Sequence, residues 1–234
     1  MGHLDSKVAI VTGGSKGIGR GIGEALAREG ARVVLSARGN EELQKTVAAM
    51  RADGLSVTGI QADVSLEGDV TRLVDGSVKT HGRLDIIVNN AGIGVFKPVA
   101  ELTVQEFDTM WGTNMRGIFL MSRAAIPHMI HAGGGDIVCI ASLAGKNTMK
   151  GGAGYCATKW ALRGFAGSMM LEVREHNIRT VTICPGSVET DFSATGKKGS
   201  NIPQPEDVAA AVVFALTADR RAMFSEIDLR PTRP

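Results

Sequence analysis

Three side chains in the second half of the sequence have the chemistry of a proton-transfer site. Tyr155 and Lys159 are four residues apart, a spacing that places both on one face of a helix. An ammonium beside a phenol favours the phenolate, so the pair predicts a tyrosine pKa below its ordinary value of about 10. Ser142 ends an apolar run, and its hydroxyl could hold a substrate oxygen against the phenol. The same spacing also occurs on solvated helix faces, so the assignment of a proton-transfer site depends on other motifs of the chain.

The N-terminal sequence has the pattern of a dinucleotide-binding turn. Residues 8–11 are apolar and mostly β-branched, which is typical of a strand buried on both faces. A glycine-rich turn and then a helical pattern follow at once. A turn without β-carbons and a helix N-terminus allow a pyrophosphate to approach the backbone closely. The glycines at 13, 17 and 19 depart from the G-x-G-x-x-G spacing of the commonest fingerprint.

These motifs resemble those of the short-chain dehydrogenase/reductase family. The family pattern T-G-x-x-x-G-x-G is present at 12–19, and a serine and Y-x-x-x-K follow downstream. The resemblance covers nearly the whole chain and is nearest to the 3-oxoacyl-(acyl-carrier-protein) reductase type. It includes 89–92 after the fourth predicted strand, Asn114 in a helix, and 185–186 after the sixth strand. Five motifs in family order make this resemblance specific.

Strand and helix patterns alternate along the chain without a long linker. Strands are predicted at 8–12, 32–37, 57–61, 85–89, 136–142, 180–184 and 226–229. The alternation predicts an α/β fold, a Rossmann-type doubly wound parallel β-sheet of about seven strands flanked by helices on both faces. We expect one dinucleotide-binding catalytic domain over residues 1–234. Because ligands bind beyond the carboxyl ends of such strands, the motifs should share one crevice.

The choice of cofactor depends on the residues that end the second strand. NAD-binding folds place an acidic residue there, which would repel a 2′-phosphate. In this sequence Ala37 stands at that position and Arg38 follows it. A guanidinium suits a phosphate, and Lys16 could add a second cation. We therefore predict NADP(H), the alternative being that both cations are ordinary solvated charges.

The resemblance implies the remaining cofactor contacts. Asp63 would hydrogen-bond the adenine amine, although an aspartate after a strand is also typical of a helix N-cap. Asn90 and Gly92 would line the adenosine ribose, unless their motif is a plain turn. The implied contacts are Gly13, Ser15, Lys16, Gly17, Ile18, Gly19, Arg38, Asp63, Val64, Asn90, Ala91, Gly92, Tyr155, Lys159, Pro185, Gly186, Val188 and Thr190.

The resemblance also implies the reaction, a reversible hydride transfer between nicotinamide and a carbonyl or alcohol carbon. Ser142 would hold the carbonyl oxygen, Tyr155 would donate the proton, and Lys159 would stabilise the tyrosinate and hold the ribose. Asn114, in an amphipathic helix predicted over 103–131, would bind a water in a proton relay from a local helix distortion. From the residues alone it is a satisfied core amide.

NADPH-dependent reduction of a small-molecule carbonyl compound is therefore the predicted function. Three alternatives stay open: 3-oxoacyl-ACP or CoA reduction, NAD-dependent alcohol oxidation, and a catalytically silent NADP-sensing or scaffold protein. No basic cluster precedes the fifth strand, which weakens the carrier-protein alternative. The short segment 190–205 predicts an open, mobile pocket. The predicted substrate walls are Val95, Phe96, Leu143, Ala144, Asn147, Met149 and Phe192.

Composition restricts the partners. The net charge is only +2, which argues against nucleic-acid or anionic-membrane binding. The sequence has neither an apolar stretch of about 20 residues nor a signal-peptide pattern, so we expect a cytosolic protein. Three cysteines without ligand spacing predict reduced thiols and no metal site. Small residues on the Tyr155 helix and the resemblance together predict a homo-oligomer, a tetramer or dimer.

Overall fold

The strands form one parallel sheet. The computed structural model describes residues 2–192 and 201–232, and its strand order is β3-β2-β1-β4-β5-β6-β7. Every pairing is parallel. The strands are β1 Val8–Thr12, β2 Arg32–Ala37, β3 Val57–Gln61, β4 Ile86–Asn89, β5 Gly135–Ile140, β6 Ile178–Pro185 and β7 Glu226–Leu229. This order is that of a doubly wound Rossmann-type sheet, so the predicted fold class is confirmed.

The observed strands agree with the predicted ones to within two residues at each end. β5 ends at Ile140, two residues earlier than predicted. Ser142 instead caps a short 3₁₀ turn, because its hydroxyl accepts a hydrogen bond of 3.1 Å from the backbone N of Ala144. Pro185 is the last residue of β6 and not the first residue after it.

Seven α-helices connect the strands of the described residues. They are α1 Gly17–Arg28, α2 Asn40–Ala52, α3 Glu67–His81, α4 Val104–Trp111, α5 Gly117–His131, α6 Ala153–Val173 and α7 Pro205–Thr217. The predicted helix over 103–131 is divided by a π-helical segment, Gly112–Arg116, between α4 and α5. Among residues 2–192 and 201–232, no helix has the length and apolar character needed to cross a bilayer.

The apolar core has two layers, one on each face of the sheet. Successive side chains of a strand point to opposite faces, so β1 contributes Ala9 and Val11 to one layer and Val8 and Ile10 to the other. The first layer includes side chains of α1, α2 and α7, and the second includes those of α3, α5 and α6. With both faces covered by helices, the carboxyl ends of the strands remain as the edge open to a ligand.

Candidate active site

A cavity of about 930 Å³ runs along the carboxyl ends of the strands. Its lining includes residues that follow five different strands: Arg38 after β2, Asp63 after β3, Asn90 after β4, Ser142 after β5 and Arg230 after β7. The volume is sufficient for a large ligand. The motifs predicted to share one crevice do lie around one cavity.

Every predicted cofactor contact lines this cavity. The lining includes Gly13, Ser15, Lys16, Gly17, Ile18, Gly19, Arg38, Asp63, Val64, Asn90, Ala91, Gly92, Tyr155, Lys159, Pro185, Gly186, Val188 and Thr190. Ser142 lines it as well, whereas Asn114 is fully buried behind the wall. The contacts of these residues with a cofactor stay predictions.

The glycine-rich turn has a backbone that other residues would disturb. Gly13 and Gly17 have φ values of +63° and +53°, in the left-handed region that favours glycine. A Cβ on Gly19 would lie 2.2 Å from the carbonyl oxygen of Gly13. The side-chain amide of Asn90 donates to the carbonyls of Thr12 and Gly13, at 2.8 and 3.2 Å. α1 begins at Gly17, so this turn and its helix N-terminus suit a diphosphate.

The two cations predicted to bind a 2′-phosphate have different surroundings. Arg38 is exposed at the cavity, and within residues 2–192 and 201–232 its guanidinium has no ion-pair partner. Its backbone carbonyl accepts a hydrogen bond of 2.8 Å from Gln61. The ammonium of Lys16 lies 3.4 Å from the carboxylate of Asp191 in an exposed pair. A phosphate would have to compete with Asp191 for Lys16, but not for Arg38.

Asp63 is not the N-cap of the helix that follows it. Its Oδ1 accepts hydrogen bonds from the backbone N and the hydroxyl of Ser65, at 2.9 and 2.7 Å, which makes an Asx turn. The N-cap of α3 is Leu66, which makes no side-chain cap. The N-cap interpretation is therefore wrong, and the predicted adenine contact stays a prediction.

One wall of the cavity contains the three side chains predicted to do chemistry, Ser142, Tyr155 and Lys159. Tyr155 and Lys159 lie on α6 and are 7% and 5% exposed. The Ser142 hydroxyl faces the phenol closely enough to favour its charged form. The Lys159 ammonium lies 5.8 Å from the centroid of the Tyr155 ring and donates a hydrogen bond of 2.9 Å to the carbonyl of Ile140.

The predicted lowering of the tyrosine pKa is wrong for this structure. Burial raises the pKa of Tyr155 to about 12, and the neighbouring Ser142 hydroxyl opposes this only in part. Burial lowers the pKa of Lys159 to about 8, so its ammonium still predominates at neutral pH. The spacing correctly places both residues on one helix face, but it contains no information on burial, which disfavours the charged form of each group.

Two phenylalanine rings enclose the phenol. The ring centroids of Phe96 and Phe192 lie 5.2 and 5.8 Å from that of Tyr155, and 6.3 Å from each other. A Cβ on Gly94 would lie 2.8 Å from the Phe96 ring and 3.0 Å from the Phe192 ring. This glycine therefore leaves room for the aromatic cluster around the Tyr155 ring.

The predicted substrate walls line the cavity with one exception. Val95 does not line it, and its backbone N instead contacts the sulfur of Met110 at 3.3 Å. Of the segment 190–205, which was predicted to leave the pocket open and mobile, residues 193–200 lie outside the described residues. The predicted wall residues that line the cavity are Phe96, Leu143, Ala144, Asn147, Met149 and Phe192.

Asn114 lies in the π-helical segment and joins three elements. Its Oδ1 accepts a hydrogen bond from the backbone N of Ile93, and its Nδ2 donates to the carbonyl of Ile93, both at 2.9 Å. Nδ2 also donates to the hydroxyl of Thr158 at 3.0 Å, and Thr158 donates to the carbonyl of Tyr155 at 2.8 Å. Both amide hydrogens are thus used, so the predicted relay water cannot be held by the amide N–H groups.

The sequence predictions omit several residues of this site, among them Thr158, Arg230 and Pro231. Arg230 and Pro231 line the cavity directly after β7. Their position after a predicted parallel strand is the signal that could have found them. Thr158 precedes Lys159 on α6, and only its contact with Asn114 reveals its place in the site.

Within residues 2–192 and 201–232, one group of potential metal ligands is found, and it lies beside the cavity. The ligand atoms of Cys184, Glu226 and Asp228 are within 4.8 Å of one another. The Lys146 ammonium contacts the two carboxylates at 2.6 and 2.5 Å, and Arg163 contacts Glu226 at 2.8 Å. Burial raises the pKa of the Cys184 thiol to about 11, so it is protonated at neutral pH. A lysine already provides the positive charge that these carboxylates require.

Comparison with known proteins gives consistent matches. The family described as short chain dehydrogenase matches residues 7–201. Dehydrogenase/reductase SDR family member 4 of Oryctolagus cuniculus is 39% identical over 95% of this chain and 91% of its own length.

Two solved structures extend the likeness to the fold. A metagenomic short-chain oxidoreductase in complex with NADP is 36% identical, with a TM-score of 0.88 over 99% of this chain and 100% of that one. An alcohol dehydrogenase from the archaeon Thermococcus sibiricus, complexed with 5-hydroxy-NADP, is 30% identical, with a TM-score of 0.90 over 97% of this chain and 98% of that one.

Proposed function

We propose that this chain, which belongs to the short chain dehydrogenase family, is an oxidoreductase that uses NADPH to reduce a carbonyl compound to an alcohol. One observation carries the proposal. The cavity that begins at the glycine-rich turn is also lined by Ser142, Tyr155 and Lys159, whose ammonium lies 5.8 Å from the centroid of the Tyr155 ring. The proposed proton donor and the turn proposed to bind the dinucleotide therefore line the same cavity.

The residues of the cavity fit NADP(H). The turn at 13–19 and the N-terminus of α1 would hold the diphosphate, because their backbone N–H groups carry partial positive charge. The exposed guanidinium of Arg38 would bind the 2′-phosphate, which NAD lacks. The two similar structures are complexes with NADP and 5-hydroxy-NADP, which supports the same choice.

In the proposed mechanism the protein positions the carbonyl group and supplies the proton. NADPH, when bound, supplies the hydride to the carbonyl carbon. Ser142 donates a hydrogen bond to the carbonyl oxygen, and Tyr155 transfers its proton to that oxygen as negative charge develops there. Lys159 stabilises the resulting tyrosinate. The buried position of Tyr155 keeps the phenol protonated before reaction.

The remaining sequence predictions belong to this proposal. The chain would act as one catalytic domain in the cytosol and as a homo-oligomer on a small-molecule substrate. A Cβ on Gly164 or Gly167 of α6 would meet no atom within 4 Å, so this helix could approach a second copy closely. The oxidative direction with NAD is less well supported, because Ala37 and Arg38 replace the acidic residue that it requires.

The test is oxidation of NADPH and of NADH, followed by absorbance, against aldehydes, diketones, cyclic ketones and 3-oxoacyl thioesters. We expect turnover that favours NADPH and that is lost in Tyr155→Phe. Tight binding of NADPH without turnover of any compound would instead favour the silent sensor.

A further inference from the structure

Arg230 lies at the opposite end of the cavity from Arg38. It follows β7 directly, whereas Arg38 follows β2, and these strands are five positions apart in the sheet. At about 4.8 Å for each step between strands, their carboxyl ends are about 24 Å apart. Both residues line the same cavity, so it has a guanidinium at each end.

The backbone on both sides of Arg230 packs against the reaction end of the cavity. The backbone N of Gly186 donates a hydrogen bond of 2.8 Å to the carbonyl of Leu229. A Cβ on Gly186 would lie 3.2 Å from the Leu143 side chain and 3.5 Å from the Pro231 ring. Segment 229–231 therefore continues the apolar wall that starts one residue after Ser142.

Arg230 carries a positive charge that its neighbours do not neutralise. Glu226 and Asp228 are close to three cations. Lys146 contacts both carboxylates, and Arg163 contacts Glu226. The third cation is the guanidinium of Arg230, which lies 3.7 Å from the carboxylate of Asp228 and has a side chain that is 56% exposed. Three cations around two carboxylates leave one positive charge, and Arg230 is the member of this group that lines the cavity.

We propose that Arg230 binds a carboxylate on the substrate, so that the preferred carbonyl compounds are oxo acids. This inference rests on the proposed function and deepens it. The end of β7 is two strand positions from the end of β5, or about 10 Å. The carbonyl group would lie at Ser142 and Tyr155, an apolar spacer would cross Leu143 and Pro231, and the guanidinium would hold the carboxylate by two parallel hydrogen bonds.

The experiment uses two pairs of ketones that differ in the carboxylate: para-acetylbenzoate with para-methylacetophenone, and levulinate with its methyl ester. Their dissociation constants are measured by calorimetry on the protein loaded with NADP⁺, and kcat/KM is measured with NADPH. We expect the acid of each pair to bind about tenfold more tightly than its neutral partner. This preference should be lost in Arg230→Gln, partly kept in Arg230→Lys, and weakened by salt.

Arg221→Gln is the matched control, because Arg221 is exposed, pairs with Asp219 at 3.1 Å and does not line the cavity. It should keep the wild-type preference. Equal affinity for acid and neutral compound in the wild type would overturn the inference, as would an equal loss of both in Arg230→Gln.

The inference and the proposed function can fail separately. Reduction of the neutral ketones without any preference for acids would leave the proposed function standing and overturn the role of Arg230. Binding of acids that depends on Arg230, without turnover of any of the four compounds, would support the carboxylate site and count against the reductase.

Discussion

The buried pair of Tyr155 and Lys159 and the exposed pair of Lys16 and Arg38 both follow from sequence motifs, but they act through different physics. The first pair is almost excluded from water. Burial favours the neutral form of each group, so it raises the pKa of Tyr155 and lowers that of Lys159. The second pair is hydrated, so its interactions are screened and individually weak. Chemistry should therefore depend on the buried pair, and cofactor preference on the exposed pair.

Tyr155→Phe, in the buried pair, should cause the largest loss of activity. The ring remains to pack against Phe96 and Phe192, while the proton donor is lost. Since positioned acid catalysis contributes about 10² to 10⁴ in rate, we expect kcat to fall about 1000-fold at saturating NADPH. The melting temperature should change little. A kcat within about tenfold of the wild type would remove Tyr155 from the proton-transfer step.

The second prediction concerns the pH dependence of stability in the protein without cofactor. Burial lowers the pKa of Lys159 from its ordinary value of 10.5 to about 8 in the folded protein, so between these two values the unfolded chain binds more protons. Unfolding free energy should therefore rise with pH in this window. Above pH of about 10 the raised pKa of Tyr155 acts in the opposite direction.

Denaturant unfolding of the wild type and of Lys159→Met at pH 7.5 and pH 10 measures the contribution of Lys159 to the pH dependence of the unfolding free energy. Relative to the variant, the wild type should gain about 2 kcal/mol over this interval. A difference that does not change with pH would show that Lys159 is not desolvated as the structure indicates.

Arg38→Ala should have a smaller effect, confined to the cofactor. Loss of a partly hydrated charge-assisted contact should raise the KM for NADPH about tenfold and leave the KM for NADH nearly unchanged. Lys16→Ala should raise the KM for NADPH by about threefold only, because Asp191 already holds the ammonium. If Lys16→Ala were the more damaging variant, the assignment of the 2′-phosphate to Arg38 would be wrong.

Thr158→Val should have the smallest effect on activity. It tests whether the contact of Thr158 with Asn114 helps to position Tyr155. The substitution keeps the shape but removes the hydroxyl that links Asn114 to the carbonyl of Tyr155. We expect kcat to fall about fivefold with KM unchanged, and Thr158→Ser to restore it. A loss in both variants, or a change in KM alone, would argue that Thr158 only fills space.

The sequence predicted the sheet, the shared crevice and the grouping of Ser142 with Tyr155 and Lys159, because periodicity and strand-end position determine these features. It did not predict the pKa of Tyr155, which depends on burial by Phe96 and Phe192 from distant segments. It also could not show that Lys16 pairs with Asp191, 175 residues away. Long-range contacts between side chains are outside the reach of local patterns.

Transfer of deuterium from NADPH that carries deuterium at both C4 positions of the nicotinamide is the sharpest test of the proposed reaction. With a ketone that the wild type reduces, we expect label on the carbinol carbon of the product. Tyr155→Phe at saturating labelled NADPH should transfer about 1000-fold less per unit time. Undiminished transfer in the variant, or product alcohol without label at that carbon, would contradict the proposed reaction.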